Sequence, residues 1–350
     1  MIEEIKLTKI SLNGGDLEVA DTIYFGGGTP SILTVEEIQK LIQAARQYFN
    51  VNDQAEITLE ANPDDINEEK LAGWKAIGIN RFSIGVQSFK EEDLLWMNRA
   101  HNAAQAFNCI EQVKRSGFTN FSVDLIYGTP SLRDEDLKNN VQTIIDLDIP
   151  HISCYALTVE TGTALQKMIK LKKSAEVDPE KQAAQFLLLI DLLEAAGYEH
   201  YEISNFAKPG FRSKHNSSYW QGKTYIGIGP SAHSFNDNKR RWNVSNNALY
   251  IQSLLQNNIS FEEETLTKTQ QLNEYIMTSL RTMEGIDIDF VEKNFGTEVS
   301  KILLAESIQF IKSNKLQNEN HKLFLTKKGK LFADGIAANL FFEEQQLVSL

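Results

Sequence analysis

The sequence contains little cysteine. Its 350 residues include only Cys109 and Cys154, and these two do not form a CxxC pair. Two thiolates cannot fill the three or four ligand positions of an iron–sulfur cluster, so they are predicted to be buried thiols in a reducing compartment. No apolar run reaches the roughly 20 residues of a membrane span, and residues 1–6 are acidic where a signal peptide is basic. These features predict a cytoplasmic protein.

Positive charge is also scarce, because 35 Lys and Arg residues stand against 47 Asp and Glu residues, which gives a formal net charge of -12. Nucleic acids and anionic membranes attract basic patches, so neither is expected as the main partner. With 42% hydrophobic residues, the chain can bury a sizeable core and is predicted to form one large and one smaller domain.

Strand and helix patterns alternate along the first half of the chain. The predicted strands lie at 19–25, 56–59, 81–86, 121–126 and 151–156. This rhythm is typical of an α/β fold with parallel strands joined by right-handed crossovers. The short spacing suits a partial (β/α) barrel. A doubly wound open sheet stays open as the alternative, because periodicity does not separate the two.

The second half of the chain changes pattern. A helix is predicted from Asp178, its N-cap, and residues 201–243 are predicted to be irregular but functional. Further helices, a strand pair near 316–325 and a last helix over 328–340 resemble a small winged-helix domain. The predicted division is 1–178 for the barrel, 179–262 for a linking helix and motif region, and 263–350 for a C-terminal α+β domain.

Polar and glycine residues follow the predicted strands. The segment GGGTP (26–30) comes directly after the first strand, where glycines let the backbone approach a ligand closely. A tight turn is the alternative, since the spacing is neither a dinucleotide nor a phosphate-loop motif. Glu60, Gln87 and Asp124 lie at or near later strand ends, which meet at the ligand-binding face of a barrel, and Arg99 could pair with a ligand carboxylate.

The segment HNSSYW (215–220) combines an imidazole with two aromatic rings. Imidazole is the commonest protein ligand of heme iron, and aromatic rings can stack on a flat macrocycle. The alternative is a loop histidine beside packing aromatics. His101, His151, His200 and His233 show no metal-ligand spacing either.

Taken together, these segments resemble the HemW family of heme chaperones, radical S-adenosylmethionine (SAM) proteins close to the oxygen-independent coproporphyrinogen III oxidases. The matching stretches are YFGGGTPS (24–31), ITLEANPDD (57–65), INRFSIGVQSF (79–89), MNRAHN (97–102), VDLIYGTP (123–130), HYEISNFAKPG (200–210), HNSSYWQGKTYIGIGPSAHSF (215–235), RRWN (240–243) and LTKKGKLFADGIAANLF (325–341).

The resemblance implies a TIM-like partial (β/α)6 barrel that binds SAM, followed by the family's small C-terminal domain. It implies that heme is carried to respiratory enzymes, some of them membrane-bound. By motif, His215 becomes the candidate ligand of heme iron, with Tyr219 and Trp220 beside it. The implied SAM-binding residues are Gly27, Gly28 and Thr29 at the methionine end, and Glu60, Gln87, Arg99 and Asp124 at other polar groups.

The chain departs from the family at its start. The family begins with a strand carrying CxxxCxxC, whose thiolates hold a [4Fe–4S] cluster, whereas this sequence starts inside what resembles the first helix, residues 1–10. Either Met1 is an internal methionine or the protein is shortened. The expectations are that this chain forms no cluster, does not cleave SAM reductively, and leaves the strand at 19–25 at a sheet edge.

Two other functions compete with a heme chaperone. One is an oxygen-independent oxidase that decarboxylates coproporphyrinogen III, which the HNSSYW segment disfavours. The other is DNA binding by the winged-helix pattern. Net acidity and the few basic residues there, Lys327, Lys328 and Lys330, argue against a phosphate-binding surface.

Overall fold

The computed structural model describes residues 1–11 and 19–344. Its largest sheet has seven strands in the order β1-β2-β3-β4-β5-β7-β6. Neighbouring strands from β2 to β5 are parallel, whereas β7 runs antiparallel to both β5 and β6. In this order β1 lies at an edge of the sheet. The strands are β1 (Ala20–Phe25), β2 (Val51–Ala61), β3 (Arg81–Gln87), β4 (Phe121–Tyr127), β5 (His151–Ala156), β6 (Glu199–Glu202) and β7 (Asn205–Ala207).

Helices connect these strands, and their starts follow local capping signals. The side chains of Asn67, Asn102 and Asp178 each accept a hydrogen bond from a first-turn backbone N–H, which satisfies donors that a helix start leaves unpaired. The helices are α1 (Ile2–Ser11), α2 (Val35–Tyr48), α3 (Glu68–Ala76), α4 (Glu91–Trp96), α5 (Ala103–Arg115), α6 (Asp134–Asp146), α7 (Ala164–Lys170) and α8 (Pro179–Ala195).

The segment at 201–243, predicted to be irregular, contains regular elements, so that prediction is wrong in part. Its strands are too short and too polar to give a period-two pattern. A separate three-stranded antiparallel sheet has the order β10-β9-β8. The segment contains α9 (Lys214–Trp220), β8 (His233–Asn236) and β9 (Lys239–Asn243), and it is followed by α10 (Asn247–Leu255) and β10 (Phe261–Thr265).

The last part is α+β, with a small sheet of order β11-β13-β12. The single helix predicted over 328–340 is wrong, because Phe332 leaves helical geometry and divides it in two. The elements are α11 (Lys268–Leu280), β11 (Ile286–Asp287), α12 (Ile288–Phe295), α13 (Thr297–Lys312), β12 (Leu316–Glu319), β13 (Lys322–Leu325), α14 (Lys327–Lys330) and α15 (Ala333–Asn339).

The described residues form two compact units. One takes residues from 1–23, 36–55 and 214–350, and the other consists of 24–35 and 56–213. The three-part division at 178 and 262 stays a prediction.

Side-chain alternation along β3 explains how the sheet presents polar groups. Phe82, Ile84 and Val86 are fully buried, and Phe82 packs against the rings of Trp74 and Phe118 at 5.5 and 4.7 Å between ring centroids. Successive residues of a strand point to opposite faces. Ser83, the intervening position of β3, therefore faces the other side of the sheet, and a register shift between Ile84 and Gln87 breaks this alternation at the end of the strand.

Candidate functional site

The glycine turn after β1 leaves open space beside its backbone. Gly27 and Gly28 have φ values of +78° and +69°, and a Cβ on either would meet no atom within 4 Å. Gly26 differs, because its Cβ would lie 2.6 Å from the Tyr24 ring and 2.8 Å from Glu60 Oε1. Thr29 follows and starts a 3-10 turn at Pro30–Ile32. The turn can therefore admit a ligand against Gly27 and Gly28 but not against Gly26.

Glu60, near the end of β2, ties this turn to the sheet. Its Oε1 accepts a hydrogen bond from the Tyr24 hydroxyl at 2.7 Å, and its Oε2 accepts one from the Gly27 N–H at 3.2 Å. Burial and the Glu60 carboxylate both raise the pKa of Tyr24, so the phenol stays a donor. A carboxylate held in this way keeps further lone pairs for hydroxyl or amine groups.

Gln87 and Arg99 meet at Gly85. A Cβ on Gly85 would lie 3.0 Å from Gln87 Nε2 and 3.4 Å from Arg99 Nη2. Arg99 Nη2 donates to Asn62 Oδ1 at 2.9 Å and to the Gly85 carbonyl at 3.1 Å, while Arg99 Nε is buried without a hydrogen-bond partner. Gln87 has φ +70°, an uncommon conformation that clusters at functional sites. The unused Arg99 donor suits an anionic ligand group.

Asp124 lies on β4 and is half-buried. Ser83 Oγ donates to its Oδ1 at 3.3 Å. Burial raises the pKa of the Asp124 carboxyl to about 7, and the charge of Glu60 acts in the same direction. The two carboxylates therefore lie close enough to interact. Together with the turn and with Gln87 and Arg99 they form what we call the strand-end site, defined as Gly27, Gly28, Thr29, Glu60, Gln87, Arg99 and Asp124.

His215 lies on α9 in the other unit. Its Nδ1 is 2.9 Å from Thr22 Oγ1, and its ring meets the Tyr219 ring edge-on, with centroids 5.0 Å apart. Burial lowers the pKa of His215 to about 4, so the imidazole is neutral at pH 7, the form that binds metals.

An aromatic row continues from α9. The Tyr219 ring lies 4.6 Å from the Tyr225 ring, and Tyr225 lies 6.2 Å from Phe235 on β8, measured between centroids. Tyr219 is 40% exposed, so an external ligand can reach this row. Trp220 does not join it and instead contacts Arg281, whose Cζ is 5.4 Å from the Trp220 ring centroid.

Most other histidines have structural partners. His151 is buried between Ser122 Oγ at 2.8 Å and the Tyr201 hydroxyl at 2.7 Å. His101 Nε2 is 3.0 Å from the Val86 carbonyl. Within residues 1–11 and 19–344, no group of three or more His, Cys, Asp or Glu side chains is placed to hold a metal ion.

Comparison with known proteins identifies the family. The sequence matches the Radical SAM superfamily over residues 7–144 and the HemN C-terminal domain over 266–332. It is 32% identical over 314 residues to heme chaperone HemW of Lactococcus lactis subsp. lactis (strain IL1403), which covers 90% of this chain and 83% of that relative. The chain belongs to the HemW family. HemW of Bacillus subtilis (strain 168) is 31% identical, over 90% of this chain and 84% of that relative.

HemW membership agrees with the structural comparison. Coproporphyrinogen III oxidase HemN of Escherichia coli, a radical SAM enzyme, superposes with a TM-score of 0.82, covering 97% of this chain and 81% of that chain at 23% identity. This likeness shows the fold and confirms the predicted partial radical SAM barrel with a C-terminal domain. The relatives named HemW favour the chaperone over the oxidase.

The radical SAM superfamily implies SAM and a [4Fe–4S] cluster, and the chain fits these two groups differently. The strand-end site offers SAM an unused guanidinium donor, two carboxylates and open space at two glycines. Cys109 and Cys154 do not fit a cluster: both are buried, Cys109 Sγ contacts the Ala106 carbonyl at 3.1 Å, and burial raises the pKa of both thiols, that of Cys109 to about 12.

Several partners of the site residues could not be predicted from the sequence. Thr22 lies 193 residues from His215, and Arg281 and Trp220 are also distant in sequence, so no local pattern could pair them. Tyr24 and Asn62 could have been predicted as partners, since both belong to segments that resemble the family, YFGGGTPS and ITLEANPDD.

Every helix in the described part of the chain is too short or too polar to cross a bilayer.

Proposed function

We propose that this protein is a heme chaperone that binds heme iron through His215 and delivers the heme to respiratory enzymes in the cytoplasm or at the membrane. The supporting observation is a neutral, oriented imidazole at the motif position of a chain whose relatives are named heme chaperones. An aromatic row leading from this imidazole gives a flat macrocycle a surface to pack on.

Thr22 has a defined part in this proposal. When the His215 Nδ1–H donates to Thr22 Oγ1, the imidazole is in the tautomer whose Nε2 carries the lone pair. Such partners of the second ring nitrogen fix the ring orientation and raise its basicity as a ligand. Because the imidazole is already neutral at pH 7, protons compete little with iron for its Nε2.

The strand-end site is proposed to bind SAM. Arg99 would hold the SAM carboxylate with its unused donor, Gly27 and Gly28 would admit the methionine end, and Thr29 would line it. Glu60, Gln87 and Asp124 would accept from or donate to the remaining polar groups. Bound SAM supplies a sulfonium ion, whose positive charge the two carboxylates would balance.

SAM binding is predicted to strengthen as the pH rises through 7. The Asp124 carboxyl has a pKa of about 7, and only its ionised form accepts two hydroxyl hydrogen bonds and balances a sulfonium. Below this pKa the affinity should fall by up to about tenfold per pH unit. Calorimetric titration of SAM at pH 6, 7 and 8 measures this, with Asp124→Asn as the variant whose affinity stays flat across that range. If the SAM affinity of Asp124→Asn depended on pH as steeply as that of the wild type, the assignment of this pH dependence to Asp124 would be wrong.

A heme titration followed in the Soret region tests the proposed function. One heme per chain with a Soret band typical of histidine-ligated iron is expected. A chain that binds no heme under these conditions is not a heme chaperone. Turnover of coproporphyrinogen III by a version that carries the family's CxxxCxxC segment would instead favour the oxidase.

A further inference from the structure

The helix α9 divides the residues of its motif between two faces. His215 and Tyr219 are four positions apart and touch, with their rings perpendicular at 89°. Trp220 is five positions after His215, which places it about 140° further around an ideal helix. Trp220 therefore points away from the imidazole, in agreement with its separate contact to Arg281.

Arg281 is itself held in place. It is the C-cap residue of α11, and its Nη1 donates to Asp334 Oδ1 on α15 at 2.6 Å. Its Nε is buried without a hydrogen-bond partner. The guanidinium thus lies between a largely exposed carboxylate and the Trp220 ring, and its positive charge is attracted to the face of that ring.

We infer that Arg281 is a positioning residue for heme binding: it holds Trp220 from the C-terminal domain and so sets the direction in which α9 presents His215. The helix has seven residues, fewer than two full turns, and a helix this short is not stable by itself. Contacts on both of its faces must hold it, Thr22 on the His215 side and Arg281 on the Trp220 side. Because this role presupposes that His215 binds heme, it rests on the proposed function.

The contact between Arg281 and Trp220 gives the C-terminal domain a part in positioning α9. Arg281 falls inside the segment that matches the HemN C-terminal domain, residues 266–332, while Trp220 lies 46 positions before that segment begins, as 266 minus 220 gives. Through this contact the C-terminal domain can alter heme affinity without touching heme. The effect on binding should therefore depend on the charge at position 281.

Three variants test this role by heme titration. Arg281→Met removes the cation and leaves a shorter, unbranched apolar side chain, and it should weaken heme binding by about threefold to tenfold and broaden or shift the Soret band. Arg281→Lys keeps a cation and should stay within about twofold of the wild type. Asp334→Asn changes a residue whose side chain is 81% exposed, so it preserves the fold and should weaken binding in the same direction but less.

Lys315→Met is the matched control, because it removes a cation that lies 4.1 Å from the Phe332 ring centroid in the same domain but away from α9. It should leave heme affinity and the Soret band unchanged. A purely structural role for Arg281 predicts less folded protein but an unchanged Soret band, and that result would overturn the inference. So would equal losses in Arg281→Met and Lys315→Met. Unchanged binding in His215→Ala would instead refute the proposed iron ligand.

Discussion

Replacing His215 by alanine is expected to weaken heme binding by more than about 100-fold, the upper range for loss of a partner that only orients a metal ligand. The Soret band of histidine-ligated heme should disappear with it. Thr22→Val keeps the shape of the side chain but removes the hydroxyl that lies 2.9 Å from His215 Nδ1. This variant should bind heme about tenfold more weakly than the wild type. Absorbance titrations with heme at pH 7 measure the affinities of both variants.

His233→Ala is the control for this series. His233 is an exposed histidine in the same unit, on β8, and its ring stacks on Trp242 at 6.2 Å between centroids. The His233→Ala variant should bind heme with the same affinity as the wild type. Equal losses in His215→Ala and His233→Ala would mean that neither imidazole is a specific ligand, and this outcome would contradict the assignment of His215.

Glu4→Ala is expected to lower the free energy of unfolding by about 3–5 kcal/mol. Glu4 is fully buried on α1. Its carboxylate accepts from the Gly229 N–H at 2.8 Å, from the Tyr250 hydroxyl at 2.5 Å and from the Asn243 side chain. Removing it leaves the Gly229 N–H and the Tyr250 hydroxyl without this acceptor, at about 1–3 kcal/mol each, whereas the Asn243 side chain keeps its bond to the Gly229 carbonyl at 2.9 Å.

Glu3→Ala is the neighbouring control on the same helix. Glu3 is exposed and makes an ion pair with Lys6 at 3.2 Å, so its loss should cost less than about 0.5 kcal/mol. Urea unfolding followed by tryptophan fluorescence gives both values. Similar shifts for Glu3→Ala and Glu4→Ala would show that the buried carboxylate does not anchor α1.

Local signals predicted most of the barrel elements. Asn67, Asn102 and Asp178 mark helix starts because a capping side chain acts within three residues. The prediction for β2 was too short: its first residues, including Asp53 and Gln54, are polar and exposed. Their pairing in the sheet is decided by neighbouring strands and not by their own pattern.

The strand-end site was more accessible to sequence reasoning than the region around His215. Parallel strands bring their ends to one edge, which accounts for Glu60 and Gln87, whereas Asp124 lies in the middle of β4. No such rule connects Thr22 to His215, or Arg281 to Trp220, because these contacts depend on how distant segments pack. The motif resemblance singled out Trp220 but not the cation that holds it.

Heme transfer tests the central claim most directly. The protein is loaded with one equivalent of heme, freed of excess heme, and mixed with a heme-free respiratory enzyme in membranes, and the acceptor's absorbance and activity are followed. We predict that the acceptor gains heme and activity faster than from an equal amount of free heme, and that His215→Ala gives no such gain. If the loaded wild-type protein keeps its heme, or donates it no faster than free heme does, the protein is not a heme chaperone for that acceptor class.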